Sequence, residues 1–168
     1  VGLGEIGEAM ARRARGFDMR VLYASRTRKP EAEDRLGCEF ASLDDLLEQS
    51  DFVSLHTPLN AETRGMIGSR EFSLMKRSAI LVNTARGQVV DQAALIAALR
   101  AGAIAGAALD VTDPEPLPLD NPLFSFPNVV ITPHIASASL ATRSKMADMA
   151  AANIIEVLAG RPPINPVN

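Results

Sequence analysis

Short apolar runs alternate with amphipathic segments along the chain. Runs of strand length lie at residues 20–24, near 39, and at 52–55, 79–83, 104–110 and 129–132. Between these runs, helical periodicity predicts helices over 6–15, after Pro30, over 43–50 with Ser42 as the N-cap, near 69–75, over 92–101 and over about 138–159. Nearly all-apolar strands are buried on both faces, and strands separated by helices need crossover connections. The alternation therefore predicts a doubly wound parallel α/β sheet.

The composition indicates a globular protein and argues against nucleic-acid and membrane partners. The chain has 168 residues, of which 47% are hydrophobic and 22% are charged, so we expect a single globular domain. A formal net charge of −3 and the absence of tryptophan argue against a nucleic-acid partner. No apolar run approaches the roughly 20 residues that span a bilayer, so no membrane partner is expected. The single cysteine, Cys38, cannot form an internal disulfide; we expect it in the core, in a cytoplasmic protein.

A glycine-rich motif opens the chain. Gly2, Gly4 and Gly7 have the G-x-G-x-x-G spacing directly before a predicted helix, which is typical of the pyrophosphate-binding turn of a Rossmann-like fold. By itself the motif is weak, because a glycine-rich turn before a helix is also a common structural device. A strand that ends near Ala24, about 20 residues after the first glycine, favours the nucleotide-binding interpretation.

The residues after that strand indicate whether NAD(H) or NADP(H) is the preferred coenzyme. An NAD-binding protein places Asp or Glu at this position to accept the ribose 2′-hydroxyl, whereas here residues 25–29 read SRTRK. The cations Arg26, Arg28 and Lys29 could accommodate a 2′-phosphate. We therefore expect NADP(H) to be preferred, with NAD(H) possible; the alternative is that these are solvated charges after a strand.

Three candidate catalytic residues follow three strands of the predicted sheet. Arg86 lies in NTARG after the strand at 79–83, Glu115 lies in the loop after Asp110, and His134 follows the last strand. An arginine can hold a carboxylate by two hydrogen bonds, a histidine can exchange a proton near neutral pH, and a carboxylate can orient that histidine. Singly, each residue is more often structural or solvated. Together, at one edge of a sheet, they indicate a site.

The chain resembles the D-isomer-specific 2-hydroxyacid dehydrogenases, and within them the glyoxylate and hydroxypyruvate reductases. The similarity runs over essentially the whole chain, through motifs that appear in order: GLGEIG, SRTRKP, SDFVSLHTPL, LMKRSAILVNTARG, GAALDV, PEPLP and NPLFSFPNVVITPHIAS. It implies an NAD(P)-dependent oxidoreductase that acts on small 2-keto and 2-hydroxy acids. It also implies that the full-length enzyme is a homodimer.

The resemblance also implies roles for matching positions. Arg86 would hold the substrate carboxylate and polarise the keto oxygen, His134 would donate a proton to that oxygen, and Glu115 would pair with His134. The residues that would contact the coenzyme are Gly2, Gly4, Glu5, Ile6 and Gly7 at the pyrophosphate, Arg26, Thr27, Arg28 and Lys29 at the adenosine phosphate, Pro58 at the adenine, and Thr84, Asp110 and Ala136 at the nicotinamide. His56 is expected to be structural or adjacent to the coenzyme. No metal ligand is expected.

Relatives of this kind have a strand directly before the glycine motif and a substrate domain before that strand. The resemblance therefore implies that residues 1–168 are the coenzyme-binding domain, with the first strand largely missing apart from Val1. Glu5 stands where many relatives have arginine. Two alternatives stay open: a nucleotide-sensing interaction module like the transcriptional corepressors related to this family, and a fragment that is inactive by itself because its cleft has only one wall.

Overall fold

The computed structural model describes residues 1–166, which form alternating helices and strands. The helices are α1 (Glu5–Ala14), α2 (Pro30–Leu36), α3 (Leu43–Gln49), α4 (Ser69–Leu74), α5 (Gln92–Arg100) and α6 (Leu140–Leu158). The strands are β1 (Val21–Tyr23), β2 (Cys38–Phe40), β3 (Phe52–Leu55), β4 (Ile80–Asn83), β5 (Gly106–Leu109) and β6 (Val129–Ile131). Every helix and strand expected from the pattern is present, with ends that differ by one or two residues.

Local sequence signals explain where several helices begin and end. The Ser42 hydroxyl accepts a hydrogen bond from the Asp45 N–H at 3.0 Å, as predicted for the N-cap of α3. Asp91 caps α5 in the same way through the Ala94 N–H, also at 3.0 Å. Helix α2 ends at Gly37, whose φ of 63° is the left-handed conformation that favours glycine.

The strands pair in parallel throughout the described residues, which confirms the predicted α/β fold class. Four of them form one sheet in the order β3-β4-β5-β6, and β1 and β2 form a second. The buried side chains are contributed by both strands and helices; those least exposed include Leu47, Leu55, Leu81 and Leu95. Cys38 is buried, as expected, and burial raises the pKa of its thiol.

The chain divides into two compact units. The first covers Val1–Pro133 and contains both sheets and helices α1 to α5. The second begins at His134 and contains α6, whose N-cap Ser139 accepts a hydrogen bond from the Thr142 N–H. After α6, the Asn165 N–H donates to the Asn153 side-chain oxygen at 2.9 Å and ties the following segment back to the helix.

A buried hydroxyl in the first unit allows a stability prediction. The Thr57 Oγ1 atom is buried and has no hydrogen-bond partner within the described residues. Because an unpaired buried hydroxyl costs desolvation free energy, Thr57→Val is expected to raise the free energy of unfolding by about 1 kcal/mol in urea titrations.

The matched control is Thr63→Val. The Thr63 hydroxyl donates to the Pro58 carbonyl at 2.6 Å and accepts from the Asn60 N–H at 2.9 Å. Removing it leaves both partners without this bond, so the same measurement should give a loss of about 1 kcal/mol or more. Equal effects at the two threonines would contradict the assignment of Thr57 as the unpaired group.

Candidate active site

The glycine motif forms a tight turn that is fixed by close backbone contacts. Gly2 has a φ of +85°, and a Cβ atom there would lie 2.8 Å from the His56 carbonyl oxygen. A Cβ atom on Gly7 would lie only 2.3 Å from the Gly2 carbonyl oxygen. The first glycine therefore permits the turn and the third permits helix α1 to pack against it, as the motif predicts.

The middle of the turn is open. A Cβ atom on Gly4 would meet nothing within 4 Å, and Gly4 is the N-cap of α1 without a side-chain cap. Glu5 and Ile6 are exposed in the first turn of that ten-residue helix. Backbone N–H groups at a helix N-terminus bind anions, so the chain's own geometry fits a pyrophosphate at this place.

The candidate phosphate-binding cations Arg26, Arg28 and Lys29 follow β1. One of them, Arg28, forms an ion pair within the chain. The Arg28 guanidinium donates to both carboxylate oxygens of Glu33, at 2.9 and 2.8 Å. Glu33 also accepts from the Tyr23 hydroxyl at 2.6 Å. These two donors, Arg28 first, lower the pKa of Glu33 to about 2. Arg28 is thus part of an ion-paired network at the end of β1.

The other two cations have weaker or different partners. Lys29 Nζ donates to the Leu3 carbonyl at 2.5 Å, which ties this loop to the glycine turn. Arg26 contacts Glu62 at 3.7 Å, and both side chains are largely exposed. An exposed pair at this distance contributes little free energy, so Arg26 can be drawn to another anion at low cost. Thr27 and Pro58 are also exposed.

A buried asparagine shapes the turn that carries Arg86. Asn83, the last residue of β4, is 1% exposed; its amide nitrogen donates to the Arg86 carbonyl at 2.9 Å and its oxygen accepts from the Ala85 N–H at 3.0 Å. Thr84 and Arg86 are exposed on this turn. The side chain of Asn83 therefore fixes the backbone from which Arg86 extends, a role that sequence analysis did not assign.

The turn after β4 packs directly against the loop after β5. A Cβ atom on Gly87 would lie 2.0 Å from the Thr112 carbonyl oxygen, closer than any side chain allows. Gln88 Nε2 donates to the Asp113 carboxylate at 3.0 Å across the same contact. The structure thus brings the turn of Arg86 together with the start of the loop that carries Glu115. The sequence does not single out Gly87, whose only signal is its place at the end of NTARG.

Glu115 and Asp110 occupy different environments in the loop after β5. Glu115 is exposed and lies between two cis-proline bonds, Asp113–Pro114 and Glu115–Pro116. Asp110 is 6% exposed, and its carboxylate accepts a hydrogen bond from the Thr132 hydroxyl at 2.5 Å. The Asp110 N–H also donates to the Asn83 carbonyl, which joins the ends of β4 and β5.

The two histidines differ in position and burial. His134 is exposed at the start of the second unit, with a φ of 53°, and Ala136 is exposed two residues later. A left-handed conformation is uncommon in a residue other than glycine, and such positions cluster at functional sites. His56 is half-buried and contacts the Ser54 hydroxyl through Nε2 at 2.9 Å. Burial lowers the pKa of His56 to about 4, which keeps it neutral near pH 7 and agrees with a structural role.

The chain that carries the glycine turn, the cations after β1 and the Arg86 turn matches a family model over most of its length. The family described as "D-isomer specific 2-hydroxyacid dehydrogenase, NAD binding domain" matches residues 1–136. The chain belongs to this family. Residues 1–136 are therefore an NAD-binding domain of the 2-hydroxyacid dehydrogenases.

Two individual proteins are similar to this chain over nearly its whole length. The chain is 56% identical over all 168 residues to a glyoxylate reductase of Korarchaeum cryptofilum, of which it covers 51%. A crystal structure of a Thermus thermophilus protein superimposes with a TM-score of 0.93 at 54% identity, over 99% of this chain and 52% of that one.

A third comparison concerns the coenzyme. A NADPH-dependent glyoxylate/hydroxypyruvate reductase of Sinorhizobium meliloti, solved with NADP and malonate, has a TM-score of 0.91 at 37% identity over 99% of this chain and 51% of that one. The chain spans about half the length of the relatives it matches.

No helix between residues 1 and 166 has both the length and the apolar character needed to cross a membrane. No group of three or more His, Cys, Asp or Glu side chains suited to hold a metal ion occurs in the same part of the chain.

Proposed function

We propose that residues 1–168 form the coenzyme-binding part of an NAD(P)-dependent reductase that converts small 2-keto acids, with glyoxylate and hydroxypyruvate as the first candidates, to D-2-hydroxy acids. The observation that carries this proposal is the contact of Gly87 with Thr112, which joins the Arg86 turn to the loop of Glu115 at the edge where the glycine turn also lies. A cytoplasmic homodimer with a separate substrate domain is part of the same proposal.

The residues divide the chemistry between them. When bound, the nicotinamide supplies a hydride to the keto carbon. Arg86 binds the substrate carboxylate by paired hydrogen bonds and polarises the keto oxygen. His134 donates a proton to that oxygen as the hydride arrives, and Glu115 pairs with His134 to favour its protonated form. The glycine turn and the N-terminus of α1 hold the pyrophosphate.

A hybrid enzyme tests this function. In it, the chain replaces the matching half of the Korarchaeum cryptofilum glyoxylate reductase, to which it is 56% identical. We expect oxidation of NADPH that depends on glyoxylate or hydroxypyruvate and yields the D-hydroxy acid. The isolated 168-residue chain should bind NADPH without turnover, because water is not excluded from a cleft with one wall. A soluble hybrid that binds NADPH but reduces no 2-keto acid would favour the interaction-module alternative.

We further propose that NADP(H) is preferred over NAD(H). Residues 25–29 offer no carboxylate to a ribose 2′-hydroxyl, and Glu62, the ion-pair partner of Arg26 within residues 1–166, is exposed and 3.7 Å away. Arg28 is engaged with Glu33 and Lys29 with the Leu3 carbonyl, so Arg26 is the cation best placed to meet a 2′-phosphate. Equal affinity of the chain for NADPH and NADH would refute the preference.

Arg26 provides the specific prediction for this preference. Arg26→Ala is expected to raise the Kd of NADPH about tenfold, through loss of one charge-assisted interaction with the phosphate, and to leave the Kd of NADH nearly unchanged. Titration calorimetry on the 168-residue chain measures both constants.

Two further variants serve as controls for Arg26. Glu62→Gln removes the carboxylate that competes for Arg26 and should tighten NADPH binding. Arg100→Ala removes an exposed cation from the last turn of α5 and should change neither Kd. A loss of affinity for both nucleotides in Arg26→Ala would show that Arg26 acts on a part of the coenzyme that both share.

A further inference from the structure

The Glu33 carboxylate forms a close ion pair with one of the cations that follow β1. Glu33 lies in helix α2, and only 14% of its side chain is exposed. The Arg28 guanidinium donates to it through two nitrogens, from Nε to Oε1 at 2.9 Å and from Nη2 to Oε2 at 2.8 Å. Paired hydrogen bonds of this kind add geometric specificity to the attraction between the charges. Arg28 therefore has a fixed anionic partner within the chain.

A buried tyrosine holds the same carboxylate in place. Tyr23, the last residue of β1, is 2% exposed, and its hydroxyl donates to Glu33 Oε1 at 2.6 Å. The hydroxyl also accepts from the Lys29 N–H at 2.7 Å, and the Lys29 carbonyl accepts from the Glu33 N–H at 3.0 Å. These bonds fix Glu33 relative to the loop of residues 25–29. A movement of the carboxylate away from Arg28 would break its bond with Tyr23.

The Glu33 carboxylate is negatively charged near neutral pH. Hydrogen bonds from Arg28 and Tyr23 keep its pKa well below the usual range, at about 2. The Arg28–Glu33 pair therefore carries no net charge. A phosphate monoester carries about −1.5 to −2 charges at pH 7. To bind Arg28, such a phosphate would have to compete with Glu33 for the guanidinium and approach a fixed negative charge.

Arg26 differs from Arg28 in these respects. Its contact with Glu62 is 3.7 Å long, and both side chains are largely exposed. An exposed ion pair at this distance is screened by water and contributes little free energy, so a phosphate displaces it at low cost. Arg26 is therefore available to a phosphate, whereas Arg28 is already neutralised by Glu33.

We propose that Glu33 is a specificity-determining residue, which withholds Arg28 from the 2′-phosphate and so limits the preference for NADP(H) over NAD(H). The inference rests on the coenzyme site proposed above, in which the 2′-phosphate lies at the residues that follow β1. Glu33 acts through Arg28 and is not itself a ligand of the coenzyme. Because the 2′-hydroxyl of NAD(H) carries no charge, the pairing of Arg28 has little effect on the affinity for NAD(H).

Glu33→Gln tests this role, because glutamine has nearly the same shape and its oxygen still accepts from the Tyr23 hydroxyl, while the negative charge is lost. In titration calorimetry on the 168-residue chain, we expect the Kd of NADPH to fall at least about fivefold and the Kd of NADH to change less than about twofold. Arg28→Ala in the Glu33→Gln background should return the Kd of NADPH to near its value in the unmodified chain. An unchanged or weaker affinity of Glu33→Gln for NADPH would overturn the proposal.

Glu39→Gln is the matched control for Glu33→Gln. Glu39 accepts from Nε and Nη2 of Arg20, at 2.9 and 2.7 Å, in the same paired arrangement. Arg20 lies directly before β1, at the opposite end of the strand from residues 25–29. The control removes the same charge from the chain, so it reproduces any general increase in the attraction for an anion. It should change neither Kd by more than about twofold. An equal gain of NADPH affinity in the two variants would contradict the proposal.

A second measurement uses the unmodified chain and is independent of whether Glu33→Gln folds. Adenosine 2′,5′-bisphosphate is titrated into the chain while NMR follows the Nε–H signals of the arginines. We expect the signal of Arg26 to shift and that of Arg28, whose Nε–H is bonded to Glu33, to stay in place. A shift of Arg28 as large as that of Arg26 would overturn the proposal. If neither signal shifts, the 2′-phosphate site after β1 is itself wrong, and the role of Glu33 falls with it.

Discussion

Replacement of Gly87 by alanine is expected to lower the free energy of unfolding by about 3 kcal/mol or more, and to displace the turn that carries Arg86. The new Cβ atom would lie 2.0 Å from the Thr112 carbonyl oxygen and 2.1 Å from its carbon. Both are backbone atoms of a buried residue, so the overlap cannot be relieved by a side-chain rotation. Overpacking of this kind costs about 1–3 kcal/mol in ordinary cores and more where the neighbour cannot yield. Urea unfolding of the 168-residue chain measures the loss.

Gly16→Ala is the matched control for Gly87→Ala. A Cβ atom at Gly16 would meet nothing within 4 Å, and the residue lies in a short 3₁₀ turn after α1 without a positive φ. The same substitution there should be neutral or stabilise by about 0.4–1 kcal/mol, because it restricts the unfolded chain. A loss at Gly87 no larger than the change at Gly16 would mean that the two loops separate easily, and would remove the contact on which the proposed site rests.

The elements could be predicted from the sequence because their signals are local. Nearly continuous apolar runs mark β3 and β4, Ser42 and its acidic neighbours mark the start of α3, and Gly37 marks the end of α2. The glycine motif could be interpreted for the same reason. Its spacing directly reflects contacts between residues a few positions apart, such as Gly7 with Gly2.

Contacts between distant segments could not be predicted in this way. Gly87 follows β4 and contacts Thr112, which follows β5. The hydrophobic periodicity of the sequence does not predict this contact. Arg28 and Arg26 also look equivalent in the sequence, and only the fold shows that Arg28 pairs with Glu33, which in turn accepts a hydrogen bond from Tyr23. The cations at the end of β1 can be ranked for a phosphate only once these partners are known.

Within the hybrid enzyme, His134→Ala is expected to lower kcat by about 10²–10⁴-fold while the Kd of NADPH stays nearly constant, because a proton donor acts in the transition state and not in nucleotide binding. Arg86→Lys should instead lower kcat/KM by about 10–100-fold, mainly through KM for the keto acid, since a point charge cannot replace paired hydrogen bonds to a carboxylate. Steady-state kinetics with glyoxylate and NADPH titrations separate the two effects.

His56→Gln provides the comparison for His134, since these are the chain's two histidines. The neutral, half-buried imidazole of His56 contacts Ser54, so its loss should lower stability and change kcat only a few-fold. Two results would contradict the assigned roles: unchanged turnover in His134→Ala, or a larger fall of kcat in His56→Gln than in His134→Ala.

The His134 variant also tests Glu115, because the proposed role of Glu115 acts only through the His134 imidazole. In a background that lacks His134, Glu115→Gln should cause no further loss of kcat.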